Sequence, residues 1–469
     1  MARRVSTAET TKNRPIDSNR PIFVIFAVQS FDFEMNNRPK DILWILSVAA
    51  FLLLLVQTQW QPIKLDRLAL KNDPKDAQKP ELTWDNYKAG AFQEQTENYL
   101  REHFAFREFG IRTYNQYAYS LWRKSCNAFF FPGRDHWMYY QPGVLDYYGR
   151  ETSKFFHSQK ELEEYVDNEV DMINELRIIL KRDYGIELLT FIAPDKAFVY
   201  PEHLPRMKHD TTMGTAAACF AKKFRETGFP NIDMTTWFEA MADTSSRLLF
   251  MPMDTHWTFS AVYGYDSLFR FMDSLNGFGI PRMKINGITE NPYPGRQDDE
   301  AVLNLLFKVK NDTPEYHVDV SVEADSTTRK PRVLFVGDSF IFAFEGLIPR
   351  KELISYYENW FYYDKVYKGF DKKEYKVSEI NRLRSILNVD YVVVYSVGYQ
   401  WCRGTNGFVE DALSSIKDPE KVEVALLMNE MEAKPKLMEM IQEKAESRGV
   451  SVEEMLELDA KWIIENKRK

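Results

Sequence analysis

The residues most able to do chemistry fall in two short stretches. One is Gly337-Asp338-Ser339-Phe340, directly after the apolar run Val333-Leu334-Phe335-Val336. A serine there stands at the carboxyl end of a buried strand, the edge of an open α/β sheet at which ligands bind. Gly337 lets the backbone turn, and the N–H groups that follow can face a developing oxyanion. Serine by itself is a weak nucleophile and needs a general base. The same tripeptide is also a common ordinary turn.

The other stretch is Asp254-Thr255-His256-Trp257-Thr258. Histidine titrates near neutrality and is the natural base. A nearby aspartate can accept from the second ring nitrogen and hold the tautomer. Asp254 and His256, two positions apart, share one side if the chain is locally extended. Two other readings stand beside this one. Asp254 or Thr258 could cap the helix beyond, leaving His256 on the surface, or His256 could ligate a metal. No second histidine or cysteine pair lies nearby, so neither a metal nor a cofactor is expected.

Three further positions could support such a site. Lys196, just past a strand end, could reach a carboxylate or an oxyanion, or stand in solvent as a loop lysine. Trp257 could stack on a sugar face or simply pack. Tyr399-Gln400-Trp401 follows another strand and could line a substrate cleft.

These positions need elements to hold them. Leu162, Val166, Val170, Ile173, Leu176 and Leu180 recur at helical steps and end at Gly185. A buried-strand pattern follows over residues 186–193, then the loop Pro194-Asp195-Lys196. Strand-like runs recur over 333–336 and 391–395, and a shorter aromatic one over 137–140. Helical patterns lie between them over 262–272 and through Val377, Ile380, Leu383 and Ile386. Such alternation predicts an α/β fold, a mostly parallel sheet covered by helices on both faces.

Residues 42–56 are apolar except for Ser47, and residues 42–60 together approach the ~20 residues of a membrane helix. Arg38 and Lys40 precede the run, and Trp44 and Trp60 lie near its ends, where indoles favour the interface. No small-residue cleavage pattern follows, so an uncleaved single-pass anchor is expected, with residues 1–41 cytoplasmic and the rest outside. Met35 opens a normal charged lead-in, and residues 1–34 read as a mis-assigned start or a tail. Residues 61–90, with three prolines and many charges, read as a linker. The catalytic domain is placed at 91–408. At the far end, Asp418-Pro419, Pro435 and Ser451-Val452-Glu453-Glu454 each open a helix, making 409–469 a small helical appendage.

The chain has 469 residues, 44% hydrophobic and 28% charged, which provides for a packed core and excludes global disorder. Its net charge of −8 argues against a nucleic-acid partner bound through phosphates. Its 14% aromatics suit a carbohydrate-facing protein and core packing equally. Cys126, Cys219 and Cys402 lack zinc-type spacing, and one disulfide is possible among them.

Taken jointly, an Asp-x-His-Trp and a later strand-Gly-Asp-Ser resemble the periplasmic alginate O-acetyltransferases of the J and X type, SGNH-hydrolase-like proteins. Phe131-Pro132-Gly133-Arg134-Asp135-His136-Trp137, Pro194-Asp195-Lys196 and Tyr200-Pro201-Glu202 add to the likeness, which covers roughly residues 90–405. His136 departs from the smaller residue of relatives, and the missing β-sandwich module makes the chain more J-like. The resemblance implies a flavodoxin-like, SGNH-type fold in which Ser339 is the acyl-accepting nucleophile, His256 its base and Asp254 the partner of His256. It implies an extracytoplasmic O-acetyltransferase on a polysaccharide, working beside a membrane-bound O-acyltransferase. Gly337, Asp338, Lys196, Trp257 and Gln400 are candidates for oxyanion or substrate contacts. A carbohydrate esterase with the same triad, and a non-catalytic component of a polysaccharide export complex, are the alternatives. A partner in lipoteichoic-acid D-alanylation fits less well, because the Asp-x-His precedes the serine.

Overall fold

The computed structural model describes residues 39–73, 76–292, 297–371 and 373–468. The expectations for residues 1–34, and for the cytoplasmic tail up to residue 38, lie outside the described residues. The chain divides into two compact units. The first runs to residue 64 and includes 78–106; the second comprises 65–77 and 107–469.

In the first unit, a helix spans Pro39–Trp60, with a mean hydropathy of 2.1. At 1.5 Å per residue it is about 33 Å long, enough to cross a bilayer core. Gln57 finishes it: its side chain donates to the Ile63 carbonyl at 2.7 Å and accepts from the Ile63 N–H at 3.0 Å. Two shorter helices, Trp84–Lys88 and Ala91–His103, follow.

The second unit is built on eleven strands in chain order. They are β1 (Phe130–Pro132), β2 (Met138–Tyr140), β3 (Glu187–Ala193), β4 (Asn231–Asp233), β5 (Arg282–Asn291) and β6 (Glu315–Glu323). Then come β7 (Arg332–Gly337), β8 (Tyr356–Phe361), β9 (Lys365–Lys368), β10 (Lys373–Lys376) and β11 (Tyr391–Val397). Seven form the central sheet in the order β10-β9-β8-β7-β11-β3-β4. From β8 to β4 every pair is parallel; β9 and β10 extend the edge antiparallel. The pairs β1–β2 and β5–β6 stand as separate hairpins.

The strands are buried on both faces, and residues alternate between two cores. Leu189, Phe191, Val333, Phe335, Val393 and Tyr395 pack on one side with helix Ala261–Asn276. Leu188, Ile192, Leu334, Val336, Val392 and Val394 pack on the other with helices Gln159–Tyr184, Ala216–Thr227 and Phe408–Ile416. The long helix starts where Ser158 Oγ accepts from the Glu161 N–H and stops at left-handed Gly185. This is the expected α/β layering.

Three details differ from expectation. The stretch 377–386 is not one helix: a single turn at Val377–Glu379 is followed by extended Ile380, and Asn381 caps a new helix, Arg382–Ile386. The β8–β10 and β5–β6 strands escaped the sequence reading: β8–β10 carry no clear alternation, whereas β6 alternates strictly, Tyr316, Val318, Val320 and Val322 between polar residues, and was legible. Part of the expected linker is tied down, because Arg112 donates to the Leu68 and Ala69 carbonyls at 2.9 and 2.6 Å.

The three C-terminal helices, Pro419–Glu432, Pro435–Arg448 and Val452–Lys467, enclose a small core of their own around Met428, Ile441, Met455 and Ile464. Buried Arg384 joins them to the sheet domain through Glu432 and Glu453. Cys126, Cys219 and Cys402 are unpaired.

Candidate active site

Ser339 opens a single 3-10 turn, Ser339–Ile341, at the carboxyl end of β7. The turn is set by its neighbours. Gly337 lies in register with Tyr395 of β11, and a Cβ there would sit 1.9 Å from the Tyr395 carbonyl oxygen. The strand therefore closes only on glycine, and close approach rather than a positive φ is the reason. Asp338 is buried, its Oδ1 accepting from the Phe340 N–H at 3.0 Å and its Oδ2 from the Val397 N–H at 2.8 Å. One carboxylate thus caps the turn and ties β7 to the end of β11. Burial pushes this carboxyl up to about 6, against the pull of those two N–H groups and His256. Asp338 is a structural cap, not the substrate contact expected from sequence.

His256 lies in the loop closed by the isolated Phe250–Trp257 bridge, ahead of helix Ala261–Asn276. Its Nε2 is 2.8 Å from Ser339 Oγ. Its Nδ1 is 3.6 Å from Asp254 Oδ1, an ion-pair distance rather than a tight hydrogen bond. The same Oδ1 accepts from the His256 N–H at 3.0 Å, closing the Asp-x-His turn on itself. Burial would lower the imidazole pKa, but the hydrogen bond and charge of Asp254, then Asp299 and Asp338, outweigh it and leave His256 raised. The three residues of the expected triad are therefore brought together in sequence order Asp, His, Ser.

The supporting residues fare differently. Trp257 is buried, and its Nε1 donates to the Phe340 carbonyl at 3.1 Å. The same carbonyl accepts from Tyr265 Oη at 3.0 Å. Trp257 thus braces the serine turn and has no face free for a sugar. Lys196 is neither a loop lysine in solvent nor an oxyanion donor. It is buried, and its ammonium donates to the carbonyls of Met138, Pro252 and Asp254 at 2.7, 2.8 and 2.8 Å. Those three bonds use all of its protons. Tyr399 and Trp401 are also buried, so the 399–401 triplet is packing rather than an open cleft wall. Gln400 is buried with them and accepts from Arg403 at 2.6 Å.

One residue at the site escaped the sequence reading. Tyr362 follows β8, which runs parallel beside β7, and its N–H donates to the Gly337 carbonyl at 2.7 Å. Its hydroxyl lies near Ser339 and Gln400, close enough for both to influence its titration. Burial, and then the charge of Asp338, raise its pKa, so it stays protonated as a donor. Tyr362 and Tyr363 are both left-handed, at φ of 50° and 54°. Such positions between antiparallel strands favour asparagine and glycine. Two bulky aromatics there mark a backbone held against its preference, as functional sites often are. Among the described residues, no group of three or more His, Cys, Asp or Glu is arranged to hold a metal.

Part of the chain is similar to known proteins. Residues 131–346 match the family described as SGNH hydrolase-like domain, acetyltransferase AlgX. No curated protein matches the chain. Among solved structures, the O-acetyltransferase domain of Pseudomonas putida AlgJ is 16% identical, with a TM-score of 0.37, covering 63% of this chain and 98% of that one. Pseudomonas aeruginosa AlgX is 16% identical with a TM-score of 0.37, over 60% of this chain and 66% of that one, just under two thirds of its length. Bacillus cereus PatB1, solved with a sulfonyl adduct, is 12% identical with a TM-score of 0.37, over 59% of this chain and 98% of that one.

Proposed function

We propose that this chain is an O-acetyltransferase acting on a polysaccharide through an acyl-serine intermediate. The observation that carries the reading is the 2.8 Å contact between Ser339 Oγ and His256 Nε2 at the end of β7, inside the segment that matches an acetyltransferase family. Residues 42–60 would anchor the chain, and the catalytic domain would work outside the cytoplasm. A membrane-bound O-acyltransferase would supply the acyl group.

The chemistry runs in two halves. With the Nδ1 proton facing Asp254, Nε2 takes the Ser339 proton as Oγ attacks the donor carbonyl. The C–O bond to the donor breaks, and His256 returns the proton to the leaving oxygen. A sugar hydroxyl then gives its proton to His256 and attacks the acyl-serine, restoring Ser339. The developing oxyanion would be met by the Ser339 N–H, unused within its turn, and by the Tyr362 hydroxyl.

The test uses the full chain in detergent micelles with a chromogenic acetyl ester and a panel of oligosaccharides. Wild type should release the chromophore and acetylate a sugar, and Ser339→Ala should lose at least ~10³-fold in rate. Acetate without acetylated sugar would make the protein an esterase. Equal activity of Ser339→Ala and wild type would remove Ser339 as the nucleophile.

A further inference from the structure

The loop that carries His256 has little regular structure of its own. Its internal ties are the isolated bridge at Phe250–Trp257, the Asp254–His256 turn and two bonds to the Leu249 and Met251 carbonyls, so contacts from outside the loop must help to fix the imidazole against Ser339. Two buried groups hold it. The first is Lys196, from the short helix Lys196–Val199 just past β3. Its ammonium bonds the carbonyls of Pro252 and Asp254 within the loop and that of Met138 on β2. The rings of Trp137 and Tyr139 close over it, with centroids at 5.1 and 5.0 Å. The second is Asp299, on helix Asp298–Val302. There Asp299 Oδ2 accepts from Thr255 Oγ1 at 2.8 Å, and the Asp299 N–H donates to the Met253 carbonyl at 3.1 Å. Gln297 Oε1 accepts from the Met253 N–H at 2.7 Å.

We infer that Lys196 and Asp299 form a clasp that positions the Asp254–His256 loop, and that the reach of His256 to Ser339 depends on it. The inference rests on the proposed role of Ser339 and His256. Neither clasp residue touches the reacting atoms; both act through the loop.

The residue types fit the task. An ammonium offers three donors at the end of a long stem, so one side chain can join three chain segments. A neutral side chain of that length cannot. Burying a charge is costly unless its surroundings compensate. Here burial pulls the ammonium below the ordinary lysine value, while Asp299, Asp254 and Asp195 act the other way. A buried lysine kept with its protons spent on carbonyls is a poor acid or base but a good tether.

The experiment uses the full chain in detergent and two readouts. The first is amide hydrogen exchange over residues 252–258. Lys196→Met keeps the stem and removes the donors. It should speed exchange there about tenfold or more, with β7 unchanged. The second is labelling of Ser339 by methanesulfonyl fluoride, followed by mass. Labelling forms a bond from Oγ to sulfur, expels fluoride and passes the serine proton to His256. Lys196→Met should slow it about 100-fold, the usual consequence of a misplaced base. In a His256→Ala background the same substitution should change labelling less than about threefold, because the base it positions is gone.

Unchanged exchange in Lys196→Met would overturn the clasp. Faster exchange with the same loss of labelling in both backgrounds would overturn the positioning role and leave Lys196 as structural support only. If wild type is not labelled at Ser339, the nucleophile reading fails, and exchange alone decides the clasp. Should Lys196→Met not fold, Thr255→Val cuts the Asp299 side with little change of volume. The same two readouts then apply, and unchanged exchange in that variant overturns the clasp equally.

Discussion

At the scale of single residues, the site is an electrostatic arrangement around one imidazole. His256 faces carboxylates at Asp254, Asp299 and Asp338, and its pKa is raised in spite of its burial. In the proposed mechanism it would act as a base only when neutral. The acid limb of kcat/KM for acetyl-ester turnover should therefore have its midpoint above the ordinary histidine value of ~6.5. Asp254→Asn removes the hydrogen bond and the nearest of those charges. It should move the midpoint down and lower the plateau rate, by about 10- to 10⁴-fold, since the tautomer is also lost. The stability sign follows the same shift. A raised folded pKa contributes stability that is full below the unfolded value and is lost as pH rises through the folded one. Asp254→Asn should thus cost more stability in mild acid than above neutrality, as thermal melts across the range would show.

At the scale of elements, the parallel strands do the positioning. Ser339 sits where β7 ends, Tyr362 where its neighbour β8 ends, and Val397 where its other neighbour β11 ends. At Gly337, β11 leaves no room on β7 for a Cβ. Gly337→Ala should destabilise by about 3 kcal/mol or more, since the clash is with backbone and cannot be relieved by a rotamer. Gly346 provides the control. It lies in helix Phe342–Leu347 with open space where a Cβ would be. Gly346→Ala should be neutral or stabilising by about 0.5–1 kcal/mol. Urea midpoints of the two variants, at unchanged slope, would check both. Equal midpoints would mean that the sheet relaxes at Gly337 in a way that the packing does not suggest.

At the scale of the whole molecule, a helix able to cross a membrane precedes a sheet domain, and a small helical cluster follows. If Pro39–Trp60 is an anchor, the full chain should stay with the membrane fraction through alkaline carbonate. A chain lacking residues 1–60 should move to the supernatant. Release of the full chain would assign that helix to some other role. The C-terminal cluster has its own core and meets the sheet domain through a buried arginine, Arg384, held by two glutamates. Breaking such a pair by removing one partner costs about 3–5 kcal/mol in buried settings. The arginine is one tie among several: Ala425 packs into the core of the sheet domain, Asn381 donates to Glu457, and Asn429 donates to the Arg384 carbonyl.

How much of this the sequence determined depends on the reach of each interaction. The α/β layering was legible because burial on two faces leaves continuous apolar strands between helical periods, a local pattern. Ser339, Asp254 and His256 were legible as candidates because their two short motifs, each open alone to a turn or a cap, point together to one family resemblance. The caps at Asp418 and Ser451 could be read for the same reason, since a cap is a contact within one turn. Tertiary structure alone decided the rest. Tyr362 meets Ser339 because β8 lies beside β7, a choice of strand order that no local pattern encodes. Lys196 could stand in solvent or in the interior for all its neighbours in sequence reveal. Its place was set by β2 and the His256 loop folding over it from 58 and 56 residues away. Trp257 and Asp338 stand in sequence beside the candidate catalytic residues, which makes each a candidate for an oxyanion or substrate contact. Packing instead gave their polar atoms to Phe340 and Val397, because a buried donor or acceptor must find a partner wherever the fold brings one within reach.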